Sequence, residues 1–401
     1  MGQESGTFKR VTTLRDESLA RRQLWLATLS FGLCFAAWGL ISAFAPTFRE
    51  EFGLSGQATS LLIAVPVLLG SLARLPMGML TDRFGGRLVF TVLFVAVAVS
   101  AAIVPLAGRF ETLLVFAFFL GLAGSSFAVG VGFVSPWFPA ARQGTALGIY
   151  GLGTMGQSAA VFLGPVLAAS FGRDAVFLGL AAVIALWAVA FVLLARDAPS
   201  TRPPATVAAM VSVLTSGTLA WVLAAFYFVT FGGFVAFSVY LPTLLRDEFG
   251  LTLADAGFRA AGFVVLATLM RPVGGNLADR HGGARVLSGV FLATLPFGLL
   301  LTWPAMVPFT IGALGTAALL GVGNGAVFKL VPQYFPGSTA TVTGLVGAVG
   351  GLGGFFPPLL LGFFRDRTGE VWPGFVLLVA TVALLWLLNA RVLLRQPQPT
   401  H

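Results

Sequence analysis

Two arginines lie deep inside long apolar segments of this sequence, where a fixed charge is costly. Arg74 and Arg271 each lie about seven residues, or roughly 10 Å, from the inner end of an apolar run. An arginine near the centre of a membrane helix costs about 2.5–3.5 kcal/mol to insert, and its guanidinium does not escape by losing its proton. Such residues indicate a binding function that offsets the free energy of their insertion.

No acidic residue is placed to neutralise these two arginines. All fifteen acidic residues fall in loops, in tails or in the end turns of the apolar runs. The missing counter-charge is therefore predicted to be an anionic substrate. The alternative is that both side chains reach the membrane surface or bind backbone carbonyls. Because the two arginines occupy equivalent positions of an internal repeat, we favour substrate binding.

The composition is that of an integral membrane protein. The 401 residues are 57% hydrophobic and only 10% charged, whereas soluble domains carry roughly 25% charged residues. With one cysteine and two histidines, we expect no metal site, no nucleophilic triad, no enzyme activity and no cofactor. The net charge of +9 is assigned to loops that face an anionic leaflet, and no nucleic-acid partner is expected.

Twelve apolar runs are long enough to cross a membrane. They occupy about 24–46, 58–81, 88–107, 112–136, 144–170, 175–195, 217–244, 253–278, 286–303, 306–332, 338–364 and 371–393. We predict an all-α membrane protein with two pseudo-symmetric six-helix bundles, at 23–196 and 215–394. A polar, proline-rich cytoplasmic linker at 197–214 joins them, and the tails are 1–22 and 395–401. Lys and Arg are concentrated on the side of both termini, which places the termini in the cytoplasm.

The two bundles are related by a sequence repeat. The segment REEFGLS that begins at Arg49 recurs as RDEFGLT at Arg246, and the same spacing carries Arg74 onto Arg271. A parallel repeat of this kind is typical of transporters whose halves rock about a central site near the middle of the membrane.

Two loops follow the runs that carry the arginines. They read GMLTDRFGGR from Gly78 and GNLADRHGGAR from Gly275. Both resemble the cytoplasmic gating motif of the major facilitator superfamily, so the fold expected is the major facilitator fold. The resemblance implies gating roles for Asp82, Arg83, Asp279 and Arg280.

Four further strings are more specific. They are GLAGSSFAVGVGF from Gly121, GTALGIYGLGTMG from Gly144, GVGNGAVFKLVP from Gly321 and GLVGAVGGLGG from Gly344. Together with the paired arginines they resemble the nitrate/nitrite porter family (NarK type) of that superfamily, from the first helix to the last. The glycines that this family is thought to use for helix bending correspond to Gly153, Gly156, Gly350 and Gly353.

The resemblance implies a monomeric carrier of nitrate and nitrite that works by alternating access in the cytoplasmic (inner) membrane. The implied substrate-binding residues are Arg74, Arg271, Phe127, Tyr227, Phe231 and Asn324. A planar, delocalised anion suits a guanidinium fork and two aromatic walls better than tetrahedral phosphate does. The family often has Asn where this chain has Thr154, which leaves a polar contact from the fifth helix open. Lys329 is left open between reaching the inner surface and a role in substrate exit.

Several alternatives remain at this stage. Nitrate/nitrite exchange is slightly favoured over nitrate/proton symport, because no embedded carboxylate or histidine is available to carry a proton. A carrier of another small anion, such as formate or oxalate, is the next alternative. A proton-coupled cation or drug exporter would need an embedded carboxylate, and a sensor would need a signalling domain.

Overall fold

The computed structural model describes residues 3–54, 56–199, 206–354 and 356–394, and every regular element in these ranges is helical. Eleven of the described helices are long and apolar enough to cross a membrane. They are α1 (Gln3–Ala43, with its apolar part at Glu17–Ala43), α2 (Leu61–Phe84), α3 (Gly86–Leu106), α4 (Phe110–Trp137), α5 (Ala140–Phe171), α6 (Arg173–Leu194), α7 (Thr218–Phe249), α8 (Leu253–His281), α9 (Gly283–Leu300), α10 (Met306–Tyr334) and α12 (Trp372–Val392). Between α10 and α12 lies the shorter apolar helix α11 (Thr339–Leu352), and Phe356–Thr368 follows it.

The predicted all-α membrane fold is confirmed. Each predicted run overlaps one of these helices, and the run predicted at 338–364 corresponds to α11 together with Phe356–Thr368. The segment predicted as an N-terminal tail is helical from Gln3 onward, as the first part of α1. Parts of the predicted linker and C-terminal tail, 200–205 and 395–401, lie outside the described residues, and the division into domains stays a prediction.

The outward faces of the helices are apolar. Val92, Val95 and Val99 on α3 are each more than half exposed, and so are Leu186 and Val189 on α6. The spacing of three and four residues places each set on one helix face. Exposed apolar stripes of this kind are typical of helices that face lipid.

Two pairs of helices make the most extensive contacts between the two halves. α2 of the N-terminal half packs on α11 of the C-terminal half, and α5 packs on α8. By the repeat, α2 is equivalent to α8 and α5 to α11, so the interface is itself pseudo-symmetric. Both arginines lie on helices of this interface, at the centre of the molecule.

The four glycines predicted to allow bending lie where α5 meets α1 and where α11 meets α7. A Cβ at Gly156 would overlap the backbone of α1, and one at Gly353 would overlap the backbone of α7. Gly153 and Gly350 face aromatic side chains of the same two helices. In this structure these glycines serve close packing, and a role in bending stays a prediction.

Helix irregularities cluster around the interface. α2 is interrupted at Ala73, immediately before Arg74. α4 contains a 3₁₀ stretch at Gly121–Ser125, and α5 contains one at Gly151–Thr154. A 3₁₀ segment inside a helix alters the direction of its carbonyls and often marks a functional position. Here it makes carbonyl oxygens available to the arginines.

Candidate functional site

The structure brings the two predicted arginines together at one site. Arg74 on α2 and Arg271 on α8 are each only 3% exposed. Their guanidinium carbons lie 5.4 and 5.6 Å from the centre of the same ring, that of Phe231 on α7. No ion pair between described residues involves either arginine. Two positive charges therefore converge on one aromatic ring without a carboxylate partner in the described part of the chain.

The hydrogen bonds of the two arginines differ. Arg74 donates from Nε to the Gly124 carbonyl at 3.1 Å and from Nη1 to the Gly347 carbonyl at 2.6 Å. Arg271 donates only from Nη1, to the Gly151 carbonyl at 3.4 Å. Its Nε and Nη2 are buried and have no hydrogen-bond partner among the described residues. Binding to backbone carbonyls, the alternative that the sequence allowed, is thus observed for Arg74 and only weakly for Arg271.

The predicted aromatic residues form a layer beside the arginines. The ring of Tyr227 stacks on Phe231 at 4.8 Å with an interplanar angle of 2°. Phe127 of α4 is parallel to Tyr227 at 6.5 Å and 6°. Tyr227 is therefore in parallel contact with both phenylalanines that the sequence predicted as walls. The layer joins the two halves, because Phe127 belongs to the first and Tyr227 to the second.

Two aromatic residues at this site were missed by the sequence analysis. Phe328 on α10 lies edge-on to both Phe127 and Tyr227, 4.6 Å from each ring centre. Phe234 lies 5.1 Å from the guanidinium carbon of Arg271. The available signal was helical spacing: Phe328 is four residues from Asn324, and Phe234 is three residues from Phe231.

Asn324 is buried on α10, with 2% of its surface exposed. Neither its amide nitrogen nor its amide oxygen has a partner among the described residues. A buried amide without a partner is uncommon and calls for an explanation. Thr154 instead satisfies its hydroxyl by donating to the Gly151 carbonyl of its own helix at 3.0 Å.

Comparison with known proteins gives the family of this chain. Residues 26–356 and 223–401 match the Major Facilitator Superfamily. A nitrite extrusion protein of Bacillus subtilis (strain 168) is 40% identical in an alignment 374 positions long, which covers 91% of this chain and 94% of that protein. A probable nitrate/nitrite antiporter, NarK1, of Thermus thermophilus is 37% identical in an alignment 416 positions long, which covers 95% of this chain and 94% of that protein. This chain belongs to the nitrate/nitrite porter (NarK-type) family of that superfamily.

Solved structures agree with this membership at the level of the fold. The human organic anion transporter MFSD10 (TETRAN) superposes with a TM-score of 0.75 and 19% identity, over 92% of this chain and 99% of that one. The Escherichia coli fucose:proton symporter FucP gives a TM-score of 0.74 and 17% identity, over 92% and 97%. The predicted major facilitator fold is confirmed, and members of this superfamily are multi-pass membrane transporters.

The predicted gating carboxylates of the porter bind helix ends across the interface. Asp82 at the end of α2 accepts hydrogen bonds from the Ala340 amide at 3.1 Å and from the amide and hydroxyl of Thr341 at 2.7 Å each. Those two residues begin α11, so Asp82 caps a helix of the other half. A carboxylate is favoured at a helix N-terminus, where free amides and the helix dipole meet it.

Asp279 at the end of α8 makes the equivalent contacts with α5. It accepts from the Gly144 amide at 2.9 Å and from the amide and hydroxyl of Thr145 at 2.7 and 2.8 Å. It has one partner more than Asp82: the ammonium of Lys329 lies 3.0 Å away. Lys329 also donates to the carbonyl of Ala140 in the other half. The Lys329 side chain is thus buried in an ion pair and does not reach the surface.

Arg83 and Arg280, also predicted to act in gating, are exposed in the porter. The guanidinium carbon of Arg83 lies 5.3 Å from the ring centre of its neighbour Phe84. The side-chain bonds that join the halves on this side are therefore made by the two carboxylates, by Lys329 and by Asn276, whose Nδ2 donates to the Thr145 hydroxyl at 3.3 Å. A role for the two arginines stays a prediction.

An apolar cavity of about 500 Å³ lies away from the arginines, inside the C-terminal half of the porter. Its lining includes Phe237, Leu320, Phe375 and the exposed Leu377. It offers no charged group to an anion, so we place the candidate substrate site at the arginines.

Proposed function

We propose that this porter carries nitrate and nitrite across the cytoplasmic membrane by alternating access, with the anion bound between Arg74 and Arg271 against the ring of Phe231. The observation that carries the proposal is the convergence of two buried, repeat-related guanidiniums on that ring. A flat, delocalised anion meets both needs of such a site, because it accepts from the guanidiniums and stacks on an aromatic face. The names of the Bacillus and Thermus relatives support the same substrates.

The distribution of polar contacts supports alternating access. On the side of the gating motifs, Asp82 and Asp279 tie the two halves together. On the opposite side the acidic loops of the repeat are tied within their own halves: Glu51 pairs with Arg173, and Arg365 pairs with Asp247 at 2.7 Å. Apart from the bonds of the two arginines at the centre, the side-chain hydrogen bonds between the halves in the described part of the chain thus lie on one side, which the loop charges assign to the cytoplasm.

Exchange of nitrate for nitrite is the coupling that the charges favour. An occluded state strips water from both guanidiniums, and a buried charge without a partner costs about 3–5 kcal/mol. Arg74 recovers part of this through two carbonyls, whereas Arg271 has only the bond of 3.4 Å. A bound anion lowers the barrier, so the loaded carrier is expected to switch sides faster than the empty one. The alternative is proton-coupled symport, in which the proton would travel by water or by Tyr227.

Proteoliposomes test the proposal directly. With no imposed pH gradient, preloading with nitrite is expected to speed tracer nitrate entry at least about tenfold, since about 1.4 kcal/mol of barrier lowering suffices. Externally added formate and phosphate serve as competitors that probe substrate class. If internal nitrite has no effect and an inward proton gradient alone drives accumulation, symport replaces exchange. If nitrate does not enter under either condition while formate does, the substrate assignment is wrong.

The aromatic layer is expected to decide which anions fit. Replacing Phe127 or Phe231 with alanine should lower selectivity for nitrate over phosphate roughly tenfold, because the flat walls contribute stacking that a tetrahedral anion does not use. The matched control is Phe119→Ala on α4, where the ring is 47% exposed on the outer surface. Competition in proteoliposomes measures the selectivity, and the amount of folded carrier is measured alongside. A loss of expression with unchanged selectivity would assign these rings to packing.

A further inference from the structure

The two arginines present different edges of their guanidiniums to the site. In a guanidinium, Nε and Nη2 lie on one edge, and this edge forms two parallel hydrogen bonds with a planar oxyanion. In Arg271 both of these nitrogens are buried and have no partner among the described residues. The bond to Gly151 uses Nη1, which belongs to the other edge. The complete anion-binding edge of Arg271 is therefore available.

Arg74 has already engaged the same edge. Its Nε donates to the Gly124 carbonyl and its Nη1 to the Gly347 carbonyl. One of the two donors needed for a parallel pair is thus taken, and the guanidinium is fixed between α4 of its own half and α11 of the other. What remains to an anion is Nη2 and the second N–H group of Nη1.

The difference has a local structural cause. Gly124 lies in the 3₁₀ stretch of α4, and an irregular segment frees a carbonyl for a side-chain donor. By the repeat, its counterpart is Gly321 in α10, and α10 is α-helical from Met306 to Tyr334. Among the described residues Arg271 donates to no carbonyl of α10, so the acceptor that Arg74 uses in its own half has no counterpart for Arg271.

Arg271 is held by two aromatic rings and by only one long hydrogen bond to a carbonyl. Its guanidinium carbon lies 5.6 Å from the centre of Phe231 and 5.1 Å from that of Phe234. Cation–π contacts attract a guanidinium without occupying its N–H groups. Among the described residues, Arg74 has such a contact with Phe231 alone. Phe234 is therefore specific to Arg271.

We propose that the two arginines play unequal parts, that Arg271 makes the two-pronged contact with the planar anion, and that Phe234 is the residue that positions it. Arg74 serves chiefly to tie the halves together in the occluded carrier and offers the anion only the N–H groups left on Nη1 and Nη2. This inference rests on the proposed function, because it assigns different roles to residues of the same substrate site.

Lysine variants of the two arginines test the two roles separately, anion binding by Arg271 and the tie between the halves made by Arg74. Arg271→Lys keeps the charge but loses the parallel pair, and it is expected to raise the half-saturating nitrate concentration at least about thirtyfold. Arg74→Lys should raise it less than about threefold, and should instead lower the maximal exchange rate at least about tenfold, since the tie between the halves is lost. Tracer exchange at equilibrium in proteoliposomes measures both quantities. Equal losses of affinity in the two variants, or a larger loss in Arg74→Lys, would overturn the inference.

Variants of Phe234 test the positioning without touching either arginine. Phe234→Leu keeps an apolar side chain but removes the ring, and should raise half-saturation roughly fivefold, whereas Phe234→Tyr should restore it. Phe237→Leu is the control, because Phe237 is buried on the same helix and stacks on Phe263 at 5.3 Å instead of on an arginine. If Phe234→Leu and Phe237→Leu behave alike, Phe234 has only a packing role.

The same measurements distinguish failure of this inference from failure of the proposed function. If the wild-type carrier shows neither nitrate exchange nor thermal stabilisation by nitrate, the proposed function is wrong, and this inference is wrong with it. Wild-type carrier that exchanges nitrate while the lysine variants are equally impaired leaves the proposed function standing and overturns the division of roles alone.

Discussion

Replacing Lys329 with methionine is expected to open the cytoplasmic side of the carrier, with a roughly hundredfold shift of the equilibrium between its two states. Lys329 is 1% exposed and lies 3.0 Å from Asp279. Breaking a buried ion pair by removing one partner costs about 3–5 kcal/mol. The lower figure applies because Asp279 keeps its bonds from Gly144 and Thr145. In the open state water replaces these partners, so only the closed state loses stability.

Hydrogen–deuterium exchange measures this shift directly. The amides of Gly144 and Thr145 are bonded to Asp279 in the closed state, and they should exchange faster in Lys329→Met. Nitrate exchange in proteoliposomes should slow at least about tenfold, because the carrier then spends little time in the outward-facing state. Unchanged protection and unchanged transport would show that Lys329 does not hold the halves together.

Two further variants isolate the ion pair from general damage. Asp279→Asn combined with Lys329→Met removes both charges, and it should recover part of the lost protection, since no charge is then buried without a partner. Arg142→Gln removes a basic side chain two residues from Ala140, which accepts from Lys329, but the Arg142 side chain is 66% exposed and bonded to Glu17 at 3.4 Å. That control should leave both measurements unchanged.

The sequence predicted the centre of the site because buried charge is conspicuous in an apolar chain. Arg74 and Arg271 were identified by their depth and by the absence of acidic residues, and the structure places both against Phe231. The fold could be predicted equally well, because long apolar runs and the internal repeat are visible along the sequence itself. Tyr227 and Phe127 were reached through family resemblance, and the structure stacks their rings in parallel.

The contacts that the sequence did not predict depend on how each helix is rotated about its axis and on local changes of helix type within a single turn. The chain has 38 phenylalanines, and only the packed helices show that Phe234 and Phe328 reach the site. The acceptors of Arg74 are backbone carbonyls, one of them in a 3₁₀ stretch, and periodicity does not report such a local change. The pairing of Lys329 with Asp279 joins residues of two different helices, so spacing along the chain gave no signal for it.

Gly275→Ala is expected to abolish exchange by preventing the cytoplasmic side from closing. A Cβ at Gly275 on α8 would overlap the carbonyl of Gly144 on α5, and neither group is the flexible end of a side chain. The repeat-related Gly78 has the same relation to the carbonyl of Ala340 on α11. Overpacking of a close contact between two backbones costs about 1–3 kcal/mol or more, and here the cost falls on the closed state alone. We expect nitrate exchange to fall at least tenfold in Gly275→Ala and at least tenfold in Gly78→Ala.

A carrier held open on one side differs from a misfolded one in what it still binds. Gly275→Ala should therefore retain thermal stabilisation by nitrate while exchange is lost, and the Gly144 amide should exchange faster with deuterium. Gly262→Ala on the same helix is the matched control: a Cβ there meets nothing within 4 Å, and the substitution should preserve transport and add helix propensity. Because Gly275→Ala acts by overlap and Lys329→Met by loss of a charge, agreement between the two would identify the α5–α8 contact itself as the closing element. Normal exchange in Gly275→Ala would mean that the halves close without this contact, and the gate would have to be assigned to α2 and α11 alone.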